Sequence, residues 1–221
     1  MRERFPTPMP NERPYGLALI LGTLAGVVTM AFHPTGHALL ADFDRVALIN
    51  RSVHALAIAG TITTVAGLVG LRRSFAPQSV LVDLAIVSYG FGALTVMFAA
   101  IASGLLGTEL SRRVLEAGDG GRAVWETVMV YNFALNQATT QVFVVAASIG
   151  ILLWSLAMLE VPRFGKSLGL TGIVVGGAAV VAILAGVTMD IHGFGAIVLG
   201  HGVWLVWTGS RLLKGLTGSS T

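Results

Sequence analysis

Six long apolar runs, separated by short polar stretches, organise this 221-residue chain. They fall at approximately 15–32, 53–71, 80–106, 138–159, 168–189 and 191–210. Each comes close to the ~20 residues a helix needs to cross about 30 Å of hydrocarbon. The pattern predicts an all-α polytopic membrane protein, a bundle of six transmembrane helices forming one domain over 15–210. A tail at 1–14 precedes it and a tail at 211–221 follows. A signal peptide also begins basic and turns apolar. Here the first run is long and no small-x-small cleavage site follows, so it is expected to remain as the first span.

Connection lengths predict neighbours. The loops at 72–79 and 161–167 are short, which makes spans two and three, and spans four and five, antiparallel pairs. Spans five and six are joined by little more than Asp190 and must also be adjacent. The longer connections, about 34–52 and 107–127, are the places for extramembrane structure, and Gly118, Gly120 and Gly121 predict a break before a short helix. Small residues four apart, at Gly22/Gly26, Ala66/Gly70 and Gly172/Gly176, fit close helix packing.

Composition strengthens this reading. Hydrophobic residues are 54% of the chain and charged residues 11%, against about 25% charged in soluble domains; mean hydropathy is +0.80. The absence of cysteine excludes disulfides, iron–sulfur ligation, thiolate metal sites and cysteine nucleophiles. A net charge of +3 would suggest nucleic acid only if position were ignored. The basic residues lie between apolar runs, so they read as orientation signals, and no nucleic-acid partner is expected.

Nine of them, Arg2, Arg4, Arg13, Arg72, Arg73, Arg163, Lys166, Arg211 and Lys214, share one side of the six-span topology. Five, Arg45, Arg51, Arg112, Arg113 and Arg122, lie on the other, among most of the acidic residues. The positive-inside rule then puts both termini in the cytoplasm, with the chain in a bacterial inner (plasma) membrane. Tyr15, Trp204 and Trp207 fit an aromatic belt at the inner interface.

Chemistry has two candidate locations. On this topology His33, His37, His54 and His192 fall near the outer surface. His33 and His37 have the i, i+4 spacing that puts two imidazoles on one helix face, as in zinc-binding helices. Pro34 and Gly36 favour a turn there instead. The functional reading is a divalent-metal or proton-linked site. The competing reading is four separate interfacial histidines bonded to carbonyls, headgroups and water. His201 lies roughly 13 Å deeper than His192 along the last span, where an ionisable group is expected to face the bundle interior.

The second location is 131–141, where Asn132, Asn136, Gln137, Thr140 and Gln141 crowd the approach to span four. Unsatisfied amides in hydrocarbon are costly, so they either line a small polar cavity, with His201, or bond between helices. Asp83, early in span three, is within reach of Arg72 or Arg73 across a short loop.

Asn50-Arg51 before span two, Ala134-Leu135-Asn136-Gln137 before span four, Pro162-Arg163 before span five and His192-Gly193 opening span six carry a resemblance. In this order the chain resembles uncharacterised bacterial six-helix integral membrane proteins grouped as domains of unknown function. That resemblance implies the six-span fold and carries over no activity, cofactor or catalytic residue. The expectation is a non-enzymatic structural or partner-binding membrane subunit. The alternative is a metal- or proton-responsive sensor or transporter using the outer histidines. No motif requires a cofactor, and a divalent metal is the one candidate. The expected partners are the lipid bilayer and a second copy or another membrane protein.

Overall fold

The computed structural model describes residues 12–34, 36–187 and 190–214, with the side chains of Gly36, His37 and Asp119 left aside. The tail at 1–11, with Arg2 and Arg4, and the tail beyond 214 lie outside the described residues. Among these residues there are helices and no strand: α1 (Arg13–Ala31), α2 (Gly36–Ala41), α3 (Phe43–Arg72), α4 (Val80–Ala100), a π-helical turn (Ile101–Leu106), α5 (Gly107–Glu116), α6 (Asp119–Leu159), α7 (Lys166–Leu184) and α8 (Ile191–Lys214). Six stretches are long and apolar enough to cross a membrane: α1, α3, α4 with its extension, α6, α7 and α8. The chain is a multi-pass helical membrane protein.

Those six form a closed ring. α1 packs on α3, α3 on α4, α4 on α6, α6 on α7, α7 on α8, and α8 returns to α1. Successive helices run antiparallel, so the starts of α1, α4 and α7 share one end of the ring with the end of α8. At α1–α3, a Cβ at Gly22 would lie 2.6 Å from the Gly60 carbonyl oxygen, and one at Gly67 would lie 2.9 Å from the Leu19 nitrogen. Gly176 lies as tightly against Ser148 and Leu152 of α6. The spacings read from sequence are right for Gly172/Gly176 and half right elsewhere. Gly26 faces open space and Ala66 is exposed, so the tight face of α3 is Gly60, Gly67 and Gly70.

The end bearing the termini is clasped by side chains. The Arg163 guanidinium donates to both carboxylate oxygens of Glu12, at 2.9 and 3.1 Å, and the Ser74 hydroxyl donates to the same carboxylate at 3.0 Å. One acid thereby ties the start of α1 to two loops. Arg72 meets Asp83 at 2.6 Å, the ion pair expected across this short loop. Phe75 stacks on Phe164 and leans on Trp154, closing this end with apolar rings. Trp204 departs from the expected aromatic belt, being wholly buried in the core.

The other end differs most from the sequence reading. The connection at 34–52 is largely helical, since α3 starts at Phe43, and α6 begins at Asp119 and runs 41 residues without a break. Exposed i, i+4 pairs support the extensions: Arg113 with Glu109 and Arg122 with Glu126, each at 2.9 Å. The glycine cluster permits the α5–α6 corner and then continues as helix. α7 ends earlier than the predicted span because Gly186 takes a left-handed conformation, φ 77°. Its N–H bonds the Ile183 carbonyl and that of Val187 bonds Ala182, a glycine-based helix stop.

Replacing Gly22 with alanine forces α1 from α3 and is expected to cost about 1–3 kcal/mol. Gly26→Ala, with nothing within 4 Å of the new carbon, is expected to hold or raise stability, as alanine is the better helix former by about 1 kcal/mol. Equilibrium unfolding in detergent compares the two variants directly.

Candidate functional site

The site grows from the π-helical turn. A π turn makes wider hydrogen-bonded loops than an α-helix and is found where a helix has been adapted locally. Three consecutive carbonyls of this turn accept side-chain hydrogen bonds. Asn132 of α6 donates its Nδ2 to Ala102 at 2.9 Å, and Asn50 of α3 donates its Nδ2 to Ser103 at 3.0 Å. The Thr108 hydroxyl donates to Gly104 at 2.6 Å, and Asn50 also bonds the Thr108 oxygen at 3.0 Å. Two amides from flanking helices therefore hold the irregular turn in place, as backbone away from water requires.

His54 packs onto the same turn. A Cβ at Gly104 would collide with the His54 Cβ, so only glycine admits the ring. The His54 Nδ1 lies 2.7 Å from the carbonyl oxygen of Asn50, one turn earlier. A carbonyl only accepts, so Nδ1 carries the proton in the neutral ring and Nε2 is left as an acceptor. The ring of His33, just past the end of α1, meets His54 edge to face with centroids 4.8 Å apart. Burial holds the His33 imidazole below its ordinary 6.5, so it is neutral at pH 7.

These residues form one wall of a cavity of about 620 Å3 at the ring end away from the termini. The lining is mainly apolar, from Met30, Leu39, Val96 and Phe194, with the polar groups concentrated on α3, the π turn and α6. Val130 and Phe133 line it yet are 69% and 62% exposed, and Asp190 at the start of α8 is exposed too, so the mouth lies between α6 and α8.

Of the four outer histidines, the structure brings His33 and His54 together. His192 is exposed on α8 and does not line the cavity, and the His37 side chain lies outside the described residues. Among the described residues no three His, Asp or Glu side chains stand together as metal ligands. Of the amide stretch, Asn132, Asn136 and Thr140 line the cavity at the i, i+4, i+8 spacing of one helix face, with Gln137 beside them, while Gln141 is exposed and does not line it. His201 lies outside it, in the packed layer beyond, where its Nε2 is 3.0 Å from the Ser148 hydroxyl. That contact joins α8 to α6 across the ring. Asn50, Ser103 and the π turn escaped the sequence reading. In the sequence the Asn50-Arg51 pair carries only a resemblance, and no residue pattern marks a π turn inside an apolar run.

Comparisons with protein-family models, with curated proteins and with solved structures return no match.

Asn132→Leu leaves the Ala102 carbonyl without its side-chain donor and is expected to cost about 1–3 kcal/mol. Gln141→Leu on the exposed face is expected to change stability by less than about 0.5 kcal/mol. Unfolding midpoints in one detergent separate the two. Because His33 has a folded pKa below its unfolded 6.5, the unfolded chain binds the proton first. Stability is therefore full above 6.5 and falls as pH drops toward the folded value, and His33→Gln flattens that part of a Tm-against-pH curve.

Proposed function

We propose that the protein is a non-enzymatic binding subunit of a bacterial inner membrane. Both termini are cytoplasmic, and the outward end of the ring receives a small amphipathic molecule. One observation carries the reading: an apolar cavity of about 620 Å3 with its polar groups gathered on one wall. This falls within the roughly 300–1,000 Å3 of small-molecule sites, which pair apolar lining with a few placed polar groups. The solid layer beyond the cavity, with Val144, Ala147, Ile151, Trp154 and Trp204 fully buried, favours holding a molecule over passing it through. The orientation rests on the nine-to-five distribution of basic residues.

A second reading, a metal- or proton-responsive sensor, is favoured by the His33–His54 contact at 4.8 Å. Two imidazoles fall short of the three or four protein ligands of a zinc site. Metal analysis of the purified protein with and without His54→Ala tests its metal form: loss of a stoichiometric metal in the variant supports the metal sensor, and metal-free wild-type protein removes it.

For the leading reading, native mass spectrometry of protein taken from membranes is expected to show a bound small molecule. Ala57→Phe, which places a ring in the cavity, is expected to lose it while keeping a wild-type unfolding midpoint. Identical spectra from both proteins would remove the binding function.

A further inference from the structure

Resting on the binding reading, we infer that the cavity selects a neutral lipophile bearing a hydroxyl group, which donates its hydrogen bond to His54 Nε2. Five donors on this wall are already engaged, each with an acceptor of the protein's own, while the side chains of Ser103, Asn136, Gln137 and Thr140, which also line the cavity, donate no hydrogen bond within the described residues. The Thr29 hydroxyl bonds the carbonyls of Ala25 and Val53 at 2.9 and 3.0 Å. The Ser111 hydroxyl bonds Gly107 at 2.8 Å. Asn50 Nδ2 and Asn132 Nδ2 hold the π turn, and His54 Nδ1 bonds Asn50.

Beside the π turn, acceptors are left over. Asn132 is only 6% exposed, and its Oδ1 is buried with no hydrogen-bond partner. Swapping the amide ends does not help, because the atom facing the Ala102 carbonyl must be the nitrogen. His54 Nε2 has no bond among the described residues and carries a lone pair by the tautomer argument. Asn132 Oδ1 is enclosed by protein, whereas His54 Nε2 is not, so a ligand hydroxyl on His54 Nε2 supplies the partner that an acceptor in an apolar pocket otherwise lacks.

Charge excludes the cationic donor. Among the described residues Asp190 is the one acidic residue lining the cavity, and it is exposed at the mouth. An ammonium group beside His54 would therefore be buried without a counter-ion. Exposed Val130 and Phe133 flank the mouth, as suits entry of an apolar body from the lipid.

The test uses the full chain in nanodiscs and three probes of equal chain length: a 4-alkylphenol, its methyl ether and an alkylammonium. Binding is measured calorimetrically against Ala57→Phe, which subtracts partition into lipid. The phenol is expected to bind at least about 10-fold more tightly than the ether, since a site with buried acceptors rejects the analogue lacking the donor. His54→Phe is expected to bring that ratio toward one. Equal binding of phenol and ether, lost in Ala57→Phe, overturns the inference and leaves the cavity as a binding site. Tighter binding of the ammonium also overturns it. No Ala57-dependent binding by any probe removes both the inference and the binding reading.

Discussion

Backbone polar groups in hydrocarbon must find partners within the protein, and the structure depends on how that demand is met at Ile101–Leu106. A π turn in a membrane helix leaves carbonyls that an ordinary helix would absorb, and water is not there to take them. Asn50 and Asn132 meet the demand from opposite neighbours, at 3.0 and 2.9 Å. Two consequences follow from the same contacts. α3, α4 and α6 are fixed to one another at this level, and the Asn50 amide nitrogen is committed to the turn and to Thr108. A structural requirement thereby sets the hydrogen-bonding character of the cavity wall.

The two ends of the ring are built on different physics. Toward the termini, close glycine contacts, stacked rings and the Glu12–Arg163 pair make a solid plug. The carboxylate there is only partly exposed and bidentate, so the clasp is worth more than a free surface pair. Away from the termini, α7 stops at Gly186 while α6 continues for several more turns, and the shortened partner leaves the space that becomes the mouth. The cavity is a product of unequal helix lengths around one ring.

Much of the fold is legible in the residues because hydropathy over about 20 residues is a strong signal. The six spans, the antiparallel order, the Arg72–Asp83 pair and the break at Pro34 all follow from local composition and short loops. Helix ends are less legible: Gly186 ends α7 early by its backbone conformation, and the break expected at Gly118 is present but opens a helix of 41 residues and not a short one. The site is legible in part. Crowded amides at 132–140 signal an enclosed polar surface, but Gln137 and Gln141, one turn apart, end inside and outside the cavity. The pairing of His33 with His54, and the absence of His192 from it, depends on how α1 and α3 cross. Asn50 looked like an ordinary residue before a span, since its role is set by a turn 53 residues away.

The most direct measurement is the protonation state of the two His54 ring nitrogens in the ligand-free protein, read by solid-state nitrogen NMR at neutral pH with labelled histidine and His54→Phe for assignment. The account predicts a neutral ring with the proton on Nδ1, held by the Asn50 carbonyl, and a bare Nε2 facing the cavity. A ring protonated at Nε2, alone or as the cation, would contradict it, because the wall would then offer a donor where an acceptor is required.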